Sequence, residues 1–132
     1  MDLEELDVAV DNGSIDTVLL ALTDMQGRLQ GKRLHGRYFM DEVVSGGSEG
    51  CNYLLAVDVD MNTVDGYEMS SWNSGYGDFV MKPDFSTLRP VPWQPGTAMV
   101  LADLETTGGE PVYASPRQIL RRQLEKLAAR GL

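Results

Sequence analysis

The sequence is short of nearly everything that a metal-thiolate or nucleic-acid protein uses. It has one cysteine, Cys51, and one histidine, His35. A lone cysteine excludes an internal disulfide and usually acts as a small buried hydrophobe rather than a nucleophile. One histidine and one cysteine cannot assemble a zinc cluster. Basic residues are scarce, with 11 Lys and Arg against 20 Asp and Glu and a formal charge of −9. A nucleic-acid partner is therefore not expected, because such binding needs a basic face that releases counterions. No apolar run reaches the length of a membrane span, and the acidic start Met1-Asp2-Leu3-Glu4-Glu5 lacks the basic beginning of a signal peptide. The expectation is a cytoplasmic protein without a membrane partner.

What is present is an ordinary globular composition, 42% apolar over 132 residues, which suits one domain and the start of another. Asp2 to Asn12 reads as a helix with a capping box from Asp2 and Glu5 and a stop at Gly13. Asp16 to Thr23 reads as a strand apolar on both faces, hence central in its sheet. Asp24 and Gly27 mark a tight hairpin, and Leu29 to Leu34 the return strand, where Gly31 signals a bulge or a close backbone approach. Lys32, Arg33 and Arg37 make a basic spot, either a solvated face or an anion or subunit contact. Gly36 to Val44 reads as a helix offering Tyr38, Phe39, Val43 and Val44 to the core, and Asn52 to Val59 as the next strand. Asp58 and Asp60 at its end are too few for a metal site. Phe79 to Lys82 and Ser86 to Leu88 read as short extended pieces. The proline-rich run from Arg89 to Gly96 is incompatible with a helix or a central strand. Ala98 to Leu104 is a strand, and Pro116 to Arg130 is a helix opened by Ser115. The apolar stripe Ile119, Leu120, Leu124, Leu127 and Ala128 needs a partner surface. It packs on the preceding sheet, or it opens a second domain. This order of elements gives an α+β fold, a mixed five-stranded sheet crossed by one helix, which is the β-grasp arrangement.

The stretch Thr63 to Asp84 has neither a helical period nor a clean alternation before Phe79. A long irregular segment with Tyr and Trp is expected to be a presented surface, Asp65-Gly66-Tyr67-Glu68 with Trp72, or a loop whose Trp72 plugs a satellite core.

Four runs together resemble the glutamine synthetase family. Asp24-x-x-Gly27-x-x-x-Gly31-Lys32 resembles its first hairpin, D-x-x-G-x-x-R-G-K, with Gln30 where the family commonly has Arg. Asp65-Gly66 with Trp72 resembles its D-G-S-S-x-x-x-W loop. Asp78, Pro83-Asp84 and Ser86-Thr87-Leu88-Arg89 resemble G-x-x-D-x-x-L-x-P-D-x-x-T. Pro92-Trp93, the strand ending at Asp103, and Pro116-Arg117 resemble the segment leading into the catalytic domain. The resemblance covers roughly Asp16 to Leu132.

The resemblance implies an N-terminal helix (1–14), an N-terminal β-grasp domain (15–112) and the start of the catalytic domain (113–132). It implies a homo-oligomer, usually two stacked hexamers, in which ATP activates the glutamate side chain and an amine attacks it. Mg²⁺ or Mn²⁺ and ATP would bind in the C-terminal domain, so these residues alone are expected to hold no cofactor or metal and to be inactive. By the same resemblance Asp65 is catalytic, binding the ammonium ion and taking its proton in the neighbouring subunit's site, with Tyr67, Glu68 and Trp72 as substrate-binding wall residues. Tyr67 and Glu68 replace the serines of ammonia-using members, which suggests an organic amine such as a polyamine or ethanolamine. The alternatives are a free-standing β-grasp interaction module or a non-catalytic paralogue.

Overall fold

The computed structural model describes residues 1–67 and 77–132. Five strands, β1 (Thr17–Thr23), β2 (Leu29–His35), β3 (Ser48–Cys51), β4 (Asp78–Pro90) and β5 (Thr97–Thr106), form one sheet of order β2-β1-β5-β4-β3. β1 and β5 run parallel, and the other neighbours antiparallel. The sheet curls until its outer strands nearly meet, and Lys32 Nζ on β2 donates to Ser48 Oγ on β3 at 3.1 Å. This is the β-grasp arrangement the sequence order implies.

The first helix, Leu3–Asp11, carries the expected capping box: Asp2 accepts from the Glu5 amide and Glu5 from the Asp2 amide. Its Leu6 lies in the same core as the inward residues of β1, Val18, Leu20 and Leu22. Residues 36–46 form one crossing helical segment in which Phe39–Val43 is a π-helical turn. A π turn rotates the side chains by an extra residue. Phe39 and Val43 are fully buried, whereas Tyr38, expected in the core, faces solvent. Gly31 has φ +152°, and a Cβ there would sit 2.0 Å from the Leu20 carbonyl oxygen, which is the close approach its place in β2 implies.

Two expectations are corrected. The strand expected over Asn52 to Val59 instead begins as a 3₁₀ turn, Asn52–Leu55, and the strand of this region is the short β3 just before it. Asn52 ends the ladder: its backbone N–H donates to the Gly77 carbonyl at 2.9 Å and its side-chain oxygen accepts from the Gly77 amide at 3.2 Å. The turn then drives Leu55 into the core. The two pieces expected around Pro83 are one strand, β4, which includes Arg89 and Pro90. β3 pairs only with Asp78 to Met81. The prolines therefore fall where, among the described residues, that side of β4 has no neighbouring strand, so the missing N–H costs little. Between Asp84 and Arg89 the register slips, and the Thr87 hydroxyl takes over a ladder position by accepting from the Leu101 amide at 2.8 Å.

Candidate functional site

The β1–β2 hairpin is built around an acid that water does not reach. Its turn closes with Asp24 N–H to the Arg28 carbonyl at 2.9 Å and Gly27 N–H to the Asp24 carbonyl at 3.1 Å, with Gly27 at φ +79°. The Asp24 side chain has no solvent exposure. One oxygen accepts from the Gln26 and Arg28 amides at 2.9 and 2.8 Å; the other accepts from Arg28 Nε at 2.8 Å and Gln30 Nε2 at 3.1 Å. Burial pushes this carboxyl up. The donors from Gln30, Arg28 and Gln26 together outweigh it, so it lies below the ordinary aspartate value. Gln30, standing where the resembled pattern has Arg, keeps a donor on Asp24 without a charge.

From Asp24 the network reaches thirty residues along the chain. Arg28 NH1 donates to the Val59 carbonyl at 2.7 Å and NH2 to the Asp58 carbonyl at 3.1 Å. Gln26 Nε2 donates to the Val57 carbonyl at 2.8 Å. The gripped segment is itself a closed turn. Val57 bridges Thr63, and the Val64 N–H donates to the Ala56 carbonyl at 2.9 Å. The Asp58 carboxylate accepts from the Asn62 and Asp60 amides, both at 2.9 Å, and from the Asn62 side chain. The Asn62 amide, foremost among these, holds the Asp58 carboxyl below its ordinary value. Asp58 is thus occupied in shaping the turn. Among the described residues no three His, Cys, Asp or Glu side chains are grouped as a metal would require.

Asp65 follows this turn and faces solvent, Gly66 takes φ +97°, and Tyr67 is half-buried. The structure therefore places Asp65 and Tyr67 on one segment leaving a fixed turn. Glu68 and Trp72, the other expected wall residues, lie outside the described residues. The reach of Arg28 and Gln26 was not legible in sequence because their distant targets are backbone carbonyls, which carry no side-chain signature. The one available signal was the Asp24/Arg28 charge pair spanning the turn.

A second cluster joins motif residues that are far apart in sequence. Arg117, at the start of the last helix (Pro116–Ala128), donates from Nε to Asp103 at 3.0 Å and from NH2 to Asp84 at 2.5 Å. Arg121 NH2 reaches Asp103 at 2.6 Å. The Ser86 hydroxyl, ahead of the opposing effect of burial, lowers the Asp84 carboxyl, and its amide and Arg117 add to the effect. These pairs fix the helix to the sheet through its first turns. Ser115 caps it, accepting from the Gln118 amide. Most of the apolar stripe remains uncovered, with Leu120 59% and Leu124 55% exposed.

No family model matches the chain. Among curated proteins it is 65% identical over 131 residues to gamma-glutamylethanolamide synthetase GlnA4 of Streptomyces coelicolor, an alignment covering 99% of this chain and 28% of that protein. It is 40% identical over 122 residues to glutamate–isopropylamine ligase of a Pseudomonas species, covering 92% of this chain and 27% of the relative. The chain is an N-terminal domain of the glutamine synthetase family. Solved structures agree on the fold of this glutamine synthetase-family domain. "Apo GmaS without ligand" matches with TM-score 0.70 at 23% identity, over 95% of this chain and 26% of that one. "Crystal structure of novel glutamine synthase homolog" matches with TM-score 0.67 at 24% identity, over 85% and 26%. The chain spans about a quarter of the length of the relatives it matches. No helix among the described residues is long and apolar enough to cross a membrane.

Proposed function

We propose that this domain belongs to a ligase that joins the glutamate side-chain carboxylate to an organic amine rather than to ammonia. The observation that carries the reading is the 65% identity, along 99% of the chain, to a gamma-glutamylethanolamide synthetase. The similarity to a glutamate–isopropylamine ligase supports it. Residues 113–132 then open the catalytic domain, and the enzyme is a cytoplasmic homo-oligomer, a dodecameric ring as in the wider family, in which this domain walls the neighbouring subunit's amine site. ATP would supply the phosphoryl group that activates the carboxylate, with Mg²⁺ or Mn²⁺ balancing the phosphate charge. The described residues here contain no grouped ligand set suited to either.

In this reading Asp65 does the work of the domain. Its carboxylate sits on the protein surface after the Ala56–Val64 turn, where a cationic amine from a facing subunit can pair with it. Pairing gathers the protonated amine. Transfer of one proton to the carboxylate then frees the nitrogen lone pair, which attacks the activated acyl carbon; phosphate departs with its bonding electrons, and the second proton shed as the amide forms passes to it or to solvent. Tyr67, Glu68 and Trp72 form the wall, and the added carboxylate and aromatic surface favour an amine that carries carbon.

The test is an amine panel on the full-length ligase, with glutamate and ATP and phosphate release as the readout. Ethanolamine, isopropylamine or a polyamine should exceed ammonia in kcat/KM by about tenfold or more, and Glu68→Ser should narrow the gap. Equal use of ammonia by the wild type would overturn the organic-amine reading.

A further inference from the structure

We propose that Arg28 is a positioning residue for the amine site, setting the path of the segment that carries Asp65 and Tyr67. The inference rests on the reading of Asp65 given above. Three observations carry it. First, Arg28 is itself immobilised: Nε is held by Asp24, an acid whose side chain is wholly buried, and NH2 also meets Gln26 Oε1 at 3.2 Å. Second, its remaining donors grip two consecutive carbonyls, Asp58 and Val59, while Gln26 grips the one before them and Gln30 Nε2 reaches Met61 Sδ at 3.2 Å. The hairpin thus holds the turn along a run of backbone and not at one point. Third, the turn is closed on itself by the Val57–Thr63 bridge and the Ala56–Val64 bond, so it moves as a unit, and Asp65 is the next residue.

Only a planar guanidinium can meet the Asp24 carboxylate and two carbonyls together. A lysine ammonium at the same place is a single point charge and cannot span the three acceptors. Losing that fork frees the turn to swing, and a displacement of about 1 Å at a carboxylate that gathers the amine weakens use of that amine by up to about a hundredfold. The effect should fall on the amine alone, since glutamate and nucleotide are held elsewhere in this reading.

The experiment compares Arg28→Lys, Gln26→Leu and Asp65→Asn in the full-length ligase by steady-state kinetics, and follows hydrogen exchange by mass spectrometry over residues 56–67. Arg28→Lys should speed exchange across that segment and raise the amine KM at least tenfold, leaving the glutamate and ATP KM values unchanged. Gln26→Leu, which removes the Val57 contact and one support of Arg28 but keeps the Asp24 pair, should do both to a smaller degree. Unchanged exchange in both variants overturns the grip. Faster exchange with an unchanged amine KM overturns the positioning role. Asp65→Asn with wild-type amine kinetics overturns the amine-site reading itself, and is told apart by the exchange result, which does not depend on it.

Discussion

Asp24 shows how much one buried side chain can organise. A carboxylate without water must be satisfied by its neighbours, and here four donors converge on it. Because its folded value lies below the ordinary 3.8, the unfolded chain takes up the proton first as pH falls. The stability that Asp24 contributes is therefore complete above about pH 4 and is lost as pH falls through its lowered folded value. Asp84, also lowered, adds to the same window. Urea midpoints measured from pH 7 to pH 2.5 should fall steeply below about pH 4, and Asp24→Asn should flatten that fall while costing on the order of 2 kcal/mol at neutral pH. A variant whose acid limb matches wild type would show that Asp24 is not a source of it. Asp24 and Gly27 were legible in sequence as turn residues. The burial was not, because it depends on the 56–64 turn covering the hairpin from thirty residues away.

At the level of elements, the last helix was expected from its Ser115-Pro116 start and its 3.6-residue stripe, and it is present as Pro116–Ala128. What holds it was less apparent. The attachment is polar: Arg117 and Arg121 pair with Asp84 at the β4 register slip and with Asp103 on β5. Arg117→Met should lower the hydrogen-exchange protection of residues 116–128 about tenfold, corresponding to about 1.4 kcal/mol, with the β1 and β5 amides unaffected. Equal protection in both proteins would mean that the apolar contacts alone anchor the helix. The strand expected over Asn52 to Val59 failed at the same scale. Its apolar residues Leu55, Ala56 and Val57 are buried as a strand's would be, but they reach the core through a 3₁₀ turn and a short bridge. Short apolar runs do not distinguish these outcomes by period alone.

For the molecule as a whole, the acidic surface and the exposed helix stripe act against each other. A net charge of −9 keeps copies apart, while Leu120, Leu124 and Leu127 offer an apolar face. Self-association of the 132-residue chain should therefore grow with salt, as screening weakens the repulsion. The double variant Leu120→Gln/Leu124→Gln should shift it toward monomer in sedimentation at 0.5 M NaCl, with the unfolding free energy changed by no more than about 0.5 kcal/mol, since both side chains are already exposed. An unchanged monomer fraction would assign the association to another surface.

Sequence alone determined the elements whose signals are local: the Asp2/Glu5 capping box, the apolar β1, the Gly27 turn, Gly31 against its neighbour strand, and the Ser115 cap. It also carried the order of motifs that marks the glutamine synthetase family, because that order is a property of the chain itself. The tertiary structure decided what depends on distant residues meeting. It merged two extended pieces into β4, since β3 stops short and, among the described residues, no strand lies on that side beside Pro83 and Pro90. It turned Arg28 from a hairpin residue into the grip on the Asp65 segment, because that role exists only when carbonyls thirty residues away are folded against it.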